Sequence, residues 1–294
     1  MIIIAGNSHP NLAKAIAKKL SLPIFLSNTK KFLDQELRIR LEGNFDKQDV
    51  IIIQSTSKPA NDHLMELLLL TETVKRSGAK SITAIVPYFG YGRQDKNSYK
   101  NEPISISLLA HLLKASGIDK IITLDLHSKE SENFFKIDIE NLDPSLIFIP
   151  LIDKSNNNIV VSPDAGGIIR AKNLSRLLST ELAVISKKRD SNGGCSMNNL
   201  TGSVTGKNCI LIDDIVDTGE TICLAAKFLI EKGAKSVDSY ITHAVLSGKS
   251  IEKIENSPLR NFYITNSINQ KNVPKKIKVI SVEDILANSI RALI

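Results

Sequence analysis

Short apolar runs alternate with longer amphipathic segments along the whole chain. The runs that predict strands are residues 2–5, 50–54, 81–86, 120–125, 158–162, 183–186, 209–213, 237–243 and 261–265. Several are continuous in Ile and Val, which is typical of parallel strands covered on both faces. Two segments, 103–117 and 221–232, have the apolar spacing of helices, and a glycine closes each of them. Strands separated by helices predict an α/β fold with mostly parallel sheets flanked by helices.

The sequence also contains an internal repeat. Gly-Ala-Lys-Ser occurs at residues 78–81 and again at 233–236, each time between a predicted helix and a predicted strand. Another predicted strand, a loop and that helix precede each copy. The repeat predicts two tandem, related α/β domains, residues 1–144 and 145–294. The loop before the first of these helices reads Gln-Ser-Thr-Ser and has no acidic residue, whereas the loop before the second helix is rich in Asp. We therefore expect the second domain to hold a phosphosugar and the first to serve another purpose.

Charge and composition narrow the classes of partner. The net charge is +7, but basic residues are scattered, aromatic residues make up 5% and Trp is absent, so few side chains could stack on bases. A basic excess also attracts small phosphorylated substrates, and we expect no nucleic acid as a partner. The apolar runs are too short to span a membrane, and the N-terminal segment lacks a signal-peptide pattern. Three cysteines without a CxxC pair predict a cytoplasmic protein with unpaired, mostly buried thiols.

The sharpest chemical signal lies in residues 209–221. An apolar strand ends in Asp213 and Asp214, and a turn of Asp, Thr and Gly then enters a helix. Ligands bind at such carboxyl ends of strands in α/β sheets. Backbone N–H groups of the turn and the hydroxyls of Thr218 and Thr221 could hold a phosphate. The two carboxylates could accept hydrogen bonds from ribose hydroxyls or support a metal. The plainer alternative is a buried strand followed by a helix that an aspartate of the turn, Asp217, caps.

This loop resembles the phosphoribosyl-binding loop of type I phosphoribosyltransferases and of ribose-phosphate pyrophosphokinases. Motifs at 61–66, 87–95, 125–127, 162–171 and 242–248 are similar to the second family, and the similarity runs almost from end to end. The resemblance implies an enzyme that transfers the diphosphate of ATP to the anomeric hydroxyl of ribose 5-phosphate. It implies Mg²⁺ as cofactor and a homo-oligomer of at least two subunits. The residues that it assigns to ribose 5-phosphate are Arg189, Asp213, Asp214, Asp217, Thr218, Gly219, Glu220 and Thr221.

The same resemblance assigns ATP contacts to two segments. Phe32 would stack on adenine in the active site of a neighbouring subunit, and Arg93 would meet the base or the phosphates. The complete set of assigned ATP contacts is Phe32, Asp34, Gln35, Glu36, Arg93, Gln94 and Asp95. Taken without the resemblance, both segments could equally be solvated surface loops.

Metal binding and catalysis are assigned in the same way. His127 and Asp164 resemble the family's metal-linked residues, and His127 would share the ion with phosphates and waters, because Mg²⁺ prefers oxygen ligands. Lys187 and Arg189 resemble the family's catalytic pair. They would stabilise phosphate charge from a mobile polar loop that begins at residue 187, directly after the strand 183–186, and continues to 199. Taken without the family, the three basic residues at 187–189 would be a solvated charge run.

Three alternative functions stay open: a phosphoribosyltransferase that needs no ATP, a catalytically silent subunit of the same fold, and a nucleic-acid binder. A P-loop kinase is excluded, since no G-x-x-x-x-G-K-[ST] motif is present. Two segments depart from many family members. Residues 96–102 lack a Lys/Arg-rich run, and the sequence ends at Ile294 without a Ser-containing tail. Both changes affect a regulatory phosphate site, so we expect that ADP does not inhibit allosterically and that phosphate is not a strict activator.

Overall fold

The computed structural model describes residues 1–97, 99–154, 157–189 and 195–294, without the side chains of 187–189 and 195–196. This part of the chain divides into two compact units. The first unit comprises Met1–Asp143, Ser267–Asn269 and Ser281–Ile294, and the second comprises Pro144–Asn266 and Gln270–Ile280.

The first unit is built on a parallel sheet. Its strands are β1 (Ile2–Ala5), β2 (Ile24–Leu26), β3 (Asn28–Lys31), β4 (Leu37–Arg40), β5 (Asp49–Ile53), β6 (Ser81–Val86), β7 (Lys120–Leu124) and β8 (Asp138–Leu142). Its helices are α1 (Pro10–Leu20), α2 (Ala60–Arg76) and α3 (Ser105–Ser116), with a 3₁₀ turn at Lys129–Phe134. Six strands pair in parallel in the order β2-β1-β5-β6-β7-β8. Strands β3 and β4 form a separate antiparallel hairpin.

The second unit has the same kind of sheet. Its elements are α4 (Ser145–Phe148), a 3₁₀ turn (Ile149–Leu151), β9 (Asn158–Ser162), α5 (Ile168–Leu178), β10 (Glu181–Arg189), β11 (Cys195–Thr201), β12 (Asn208–Val216), α6 (Glu220–Glu231), β13 (Ser236–Ala244), α7 (Ser250–Glu255), β14 (Asn261–Thr265) and β15 (Ile277–Ile280). The strand order is β11-β10-β9-β12-β13-β14-β15. Within the described chain, β11 is the antiparallel strand at one edge, and the other pairs are parallel. The predicted α/β fold of two related units is confirmed.

Apolar strand residues form the core of each unit, as their continuous Ile and Val runs predicted. In the first unit, Ile4 and Ile52 are buried against Leu67 of α2. In the second, Leu211 of β12 packs in one cluster with Leu229 of α6. Burying a large aliphatic side chain stabilises a fold by about 1.5–3 kcal/mol. These cores therefore fix the strand ends from which the polar side chains of the site project.

The repeated Gly-Ala-Lys-Ser sequence forms the same turn in both units. The N–H groups of Gly78 and Gly233 donate to the carbonyl three residues earlier, over 3.0 and 2.9 Å. The N–H groups of Ala79 and Ala234 donate to the carbonyl five residues earlier, over 3.2 and 3.0 Å. This pair of bonds closes the preceding helix, and the serine begins the next strand. The sequence repeat is therefore a structural repeat.

The last helix, α8 (Glu283–Arg291), packs with the first unit. Ile290 is buried, and Ser289 Oγ donates to Glu140 Oε1 over 2.8 Å. Lys19 of α1 forms an ion pair with Asp284. The contacts thus assign Ser281–Ile294 to the first unit, whereas the predicted boundary placed them in the second domain.

One sequence-based prediction about residues 187–189 is wrong. The polar loop was expected to begin at residue 187, but β10 continues through Arg189 because it pairs with β11. The register of this pair shifts between Ser186 and Lys187, the same point at which the apolar pattern gives way to Lys-Lys-Arg. Residues 190–194 lie outside the described residues, and so do the side chains of Lys187 and Arg189.

The structure also bears on the expectations about membrane spans and cysteines. Within the described chain, no helix is both long enough and apolar enough to cross a membrane. Cys209 is buried and Cys223 half-buried, and both thiols are free. Burial raises the pKa of Cys209 to about 12, so this thiol is a poor nucleophile near neutral pH.

Candidate functional site

The second unit has a crevice at the carboxyl ends of β9 and β12. These strands are neighbours, but the chain continues from β9 to β10 on one side and from β12 to β13 on the other. The connecting helices therefore diverge, and α/β sheets bind ligands at such points. Asp164 follows the end of β9, and Asp213 and Asp214 lie near the end of β12. The fold thus brings three of the predicted site residues to one edge of one sheet.

Arg170, in the first turn of α5, neutralises two of these carboxylates. Its Nη1 lies 3.7 Å from Asp213 Oδ1 and 3.5 Å from Asp214 Oδ1. The arginine side chain is 12% exposed and the Asp214 side chain 6%, so water screens these contacts little. Asp213 Oδ1 also accepts a hydrogen bond from the Asp214 N–H over 3.0 Å. One guanidinium therefore serves two adjacent carboxylates.

Burial and neighbouring charges shift the pKa of Asp213. Burial raises the pKa of Asp213 well above its ordinary value of 3.8, and the charges of Asp214 and, more weakly, Asp164 raise it too. The Arg170 guanidinium acts in the opposite direction. A ligand that brings hydroxyl donors or a cation to this edge would compensate the remaining charge.

The turn from β12 into α6 depends on a glycine. Gly219 precedes the helix with φ +73°, a left-handed conformation that other residues adopt with strain. A β-carbon there would lie 3.3 Å from the Ser250 carbonyl oxygen. Thr218 Oγ1 accepts the Glu220 N–H over 3.5 Å. The N-cap residue of α6 is Gly219, whereas the plainer alternative placed Asp217 at that position. The first N–H groups of a helix have no partners within it, so Thr221 and its neighbours present donors suited to phosphate.

Asp164 lies in a tight turn between β9 and α5. Its Oδ1 accepts the Gly167 N–H over 3.1 Å, and its carbonyl accepts Ser162 Oγ over 2.7 Å. These bonds fix the carboxylate at the end of β9. Gly167 also lies close to Asp213, since a β-carbon on it would come 3.8 Å from Asp213 Oδ1.

In the first unit, Phe32 lies at the tip of the β3–β4 hairpin. Its N–H donates to Glu36 O over 2.9 Å, and the Gln35 N–H donates to Phe32 O over 3.0 Å. The Glu36 N–H donates to Asp34 Oδ1 over 3.1 Å. The hairpin therefore holds its tip in a defined shape while the Phe32 side chain remains 49% exposed. An exposed aromatic ring can stack on a base, and the two acidic residues of this tip, Asp34 and Glu36, follow Phe32 in the sequence.

The second predicted ATP segment is the turn at Arg93, Gln94 and Asp95, between β6 and α3. Arg93 is exposed, and Asp95 is half-buried. Gln94 Oε1 accepts Ser105 Oγ over 2.6 Å, which ties the turn to the start of α3. This contact gives Gln94 a structural role in the turn. His127 is exposed just after β7, and the backbone of Gly92 lies beside its β-carbon.

The structure shows which side chains could bind the predicted Mg²⁺. Among the described residues, no three His, Cys, Asp or Glu side chains cluster closely enough to hold a metal by themselves. Mg²⁺ keeps several waters and is commonly held by one or two protein ligands together with substrate phosphates. His127 is exposed in the first unit, and Asp164 is held by its turn in the second; each side chain, taken by itself, could supply one ligand to an ion that arrives with phosphates.

Two residues with buried contacts at strand ends were not assigned a role from the sequence. Arg170 belongs to the 162–171 motif, and the available signal was an arginine eight residues after Ser162, the last residue of the strand. Glu66 belongs to the 61–66 motif, and its signal was an acidic residue on the apolar face of a helix. Their partners come from segments far away in the sequence, so spacing alone did not reveal them.

Comparison with known proteins gives consistent matches. The model of the N-terminal domain of ribose phosphate pyrophosphokinase matches residues 1–117, and that of the phosphoribosyl transferase domain matches 147–278. A ribose-phosphate pyrophosphokinase of Agrobacterium fabrum is 45% identical, with 99% of this chain and 96% of that protein covered. One of Campylobacter jejuni is 42% identical, with 98% and 94% covered. The crystal structure of phosphoribosylpyrophosphate synthetase from Mycobacterium smegmatis matches with a TM-score of 0.93 and 34% identity, over 99% of this chain and 98% of that chain.

Proposed function

The chain belongs to the ribose-phosphate pyrophosphokinase family, and on that premise we propose that its two units bind different substrates. The chain transfers the diphosphate group of ATP to ribose 5-phosphate, which gives 5-phosphoribosyl 1-diphosphate and AMP for nucleotide biosynthesis. The second unit binds ribose 5-phosphate, and the first supplies ATP contacts. The observation that carries this division is the crevice of Asp213 and Asp214 beside the Gly219 turn.

Ribose 5-phosphate is held at both of its ends. The N–H groups at the start of α6 and the hydroxyls of Thr218 and Thr221 bind the 5-phosphate, because they combine free donors with the positive end of a helix. Asp213 and Asp214 accept hydrogen bonds from the ribose hydroxyls. The residues proposed to contact this substrate are Arg189, Asp213, Asp214, Asp217, Thr218, Gly219, Glu220 and Thr221.

ATP is bound by the hairpin tip and by the turn after β6. Phe32 stacks on adenine, and Asp34 and Glu36 accept hydrogen bonds at its polar edge, with Gln35 beside them. Arg93 contacts the base or the phosphates, and Gln94 and Asp95 complete that contact. The exposed Phe32 ring supports a further proposal: the protein is at least a homodimer in which each hairpin serves the neighbouring active site.

The chemistry is a displacement at phosphorus. The anomeric oxygen of ribose 5-phosphate attacks the β-phosphorus of ATP and loses its proton. The bond from that phosphorus to the oxygen bridging it to the α-phosphorus breaks, and AMP leaves with the bonding pair. Enzymes catalyse such transfers mainly by positioning the reactants and by neutralising charge on the phosphate oxygens. Lys187 and Arg189 supply this charge, and an arginine can do so through two parallel hydrogen bonds.

Mg²⁺ is the proposed cofactor, and His127 of the first unit and Asp164 of the second are each proposed as a metal-binding residue. When bound, it would neutralise and polarise the triphosphate. The residues of the chain perform the remaining tasks: they orient the two substrates and stabilise the charge on the transferred group.

The reaction can be tested directly. Purified protein is incubated with ATP, Mg²⁺ and ribose 5-phosphate, and AMP and phosphoribosyl diphosphate are separated by chromatography. Equimolar appearance of both products, dependent on the sugar and lost in Lys187→Ala, supports the proposal. Absence of AMP at every phosphate concentration would favour a catalytically silent subunit. Consumption of phosphoribosyl diphosphate with a base, without ATP, would favour a phosphoribosyltransferase.

A further inference from the structure

In the first unit, a buried carboxylate fills the position that the crevice occupies in the second. Strands β1 and β5 are neighbours, and the chain continues from β1 to β2 on one side and from β5 to β6 on the other. This is the same topological switch point at which the second unit presents Asp213 and Asp214. In the first unit, Glu66 of α2 occupies it and is only 2% exposed. The first unit thus closes this position with its own side chain.

Glu66 accepts hydrogen bonds from three separate segments. Its Oε1 accepts from Asn7 Nδ2 over 2.8 Å and from Thr29 Oγ1 over 2.6 Å. Its Oε2 accepts from Gln54 Nε2 over 2.6 Å. The Asn7 N–H lies 3.3 Å from both oxygens. Asn7 follows β1, Gln54 follows β5 and Thr29 lies on β3, so one carboxylate joins α2 to two ends of the main sheet and to the hairpin.

The Gln54 side chain is itself fixed. Its Oε1 accepts the Ser8 N–H over 3.0 Å, and its Nε2 also donates to His63 O over 3.2 Å. A β-carbon at Gly6 would overlap this amide, so the end of β1 approaches Gln54 as closely as a glycine permits. The donors around Glu66 are therefore held in place by backbone contacts as well as by the carboxylate.

Thr29 is the link between this buried cluster and the hairpin. A threonine hydroxyl has one proton, and because Thr29 gives it to Glu66, the nearby Ser27 hydroxyl must donate to Thr29. The hairpin has a second polar tie to α2, from Lys31 Nζ to Asp62 Oδ2 over 2.6 Å. That pair is partly exposed, and such ion pairs contribute little. The Thr29–Glu66 bond is therefore the stronger polar anchor of the hairpin.

We propose that Glu66 is a positioning residue for ATP binding, which anchors the base of the hairpin that carries Phe32. This inference rests on the proposed role of the hairpin in binding ATP. Thr29 and Phe32 are three residues apart along a strand, which corresponds to about 10 Å. A small rotation at the anchored base is therefore magnified at the tip, where Asp34 and Glu36 must meet the base. Such misplacement weakens the binding of one substrate and leaves the crevice of the second unit unchanged.

Glu66→Gln is the obvious test, but it places a donor opposite buried donors and could prevent folding. Thr29→Val is the sharper variant, because it keeps the shape of the side chain and removes only the hydroxyl. Thr29→Ser restores the hydroxyl and serves as the rescue. Thr71→Val is the matched control: Thr71 is fully buried on α2, and its hydroxyl bonds to Leu67 O of the same helix.

We expect Thr29→Val to raise the KM for ATP at least fivefold and the KM for ribose 5-phosphate less than twofold. Thr29→Ser and Thr71→Val should stay within twofold of the wild type for both substrates. Hydrogen exchange of the amides at residues 28–40, measured without substrates, should be faster in Thr29→Val alone. Unchanged exchange there, or equal KM effects in Thr29→Val and Thr71→Val, would overturn the anchoring role. Faster exchange with an unchanged KM for ATP would instead show that the proposed ATP role of the hairpin fails.

Discussion

Replacement of Arg170 by methionine tests how charge is balanced in the crevice at the carboxyl ends of β9 and β12. The variant keeps an unbranched side chain of comparable length and removes the cation that Asp213 and Asp214 share at 3.7 and 3.5 Å. Both carboxylates then lose the ion pair with Arg170. We expect a less stable protein that binds ribose 5-phosphate more weakly.

The magnitude follows from these distances and from burial. At an effective dielectric constant of about 20, a unit charge pair near 3.5 Å interacts by about 4 to 5 kcal/mol. The desolvation of the guanidinium offsets part of this attraction, but removing one partner of a buried pair still costs about 3 to 5 kcal/mol. Because the crevice is partly open to solvent, we take the lower end, about 3 kcal/mol, which corresponds to a fall in Tm of about 6 to 12 °C.

The raised pKa of Asp213 determines how this loss depends on pH. Since that pKa lies above the ordinary value of 3.8, the folded state binds the proton more tightly than the unfolded state. The contribution of Asp213 to stability is therefore present at low pH and lost as pH rises through the folded-state pKa. Removing Arg170 raises this pKa further. The difference between variant and wild type should be small near pH 4 and widen towards neutral pH.

Thermal unfolding of both proteins across this pH range measures the effect, with Arg176→Met as the control. Arg176 is an exposed residue of the same helix, α5, so the control repeats the chemical change away from the crevice. A loss of stability in Arg170→Met that is the same at low and neutral pH would refute the electrostatic reasoning. A KM for ribose 5-phosphate equal to that of the control would refute the role in the crevice.

Three further outcomes are expected. Lys187→Ala and Arg189→Ala should each lower kcat at least a hundredfold and change the KM for ATP and for ribose 5-phosphate far less, because the two charges act on the group being transferred. An unchanged kcat of both variants in steady-state assays would exclude this catalytic role. Phe32→Ala and Lys187→Ala should each be nearly inactive alone, but an equal mixture refolded together should regain part of the activity, because some active sites then combine an intact hairpin with an intact Lys187. No recovery would contradict hairpins that serve neighbouring subunits. Initial-rate measurements should show ADP competing with ATP without allosteric inhibition, because residues 96–102 lack the basic run of regulated members; strong noncompetitive inhibition would contradict this.

The positions of the main strands along the chain were predictable, because continuous Ile and Val runs have few other uses in a chain of this composition. All nine predicted strands are present, and those at residues 2–5, 81–86, 158–162 and 261–265 have the predicted bounds. The Asp-rich turn before α6 was also predictable, because two acids at the end of an apolar strand do not serve packing. The strands that the pattern missed are short, polar or at sheet edges. Strand β3 reads Asn-Thr-Lys-Lys and pairs only with β4, so it has no buried face to produce alternation.

The sequence by itself therefore determined the character of single segments, such as the apolar strands and the Asp-rich turn before α6, because these depend on residues that are neighbours in the chain. The tertiary structure decided which distant side chains meet. Arg170 and Asp213 are separated by a strand hairpin, and Glu66, Asn7 and Thr29 come from three different elements, so neither cluster has a spacing that a sequence pattern could reveal. It also decided that Glu66 of α2 lies buried at the switch point of the first unit, while Asp213 and Asp214 lie at that of the second. Both outcomes depend on the order of parallel strands in a sheet, which only the folded chain establishes.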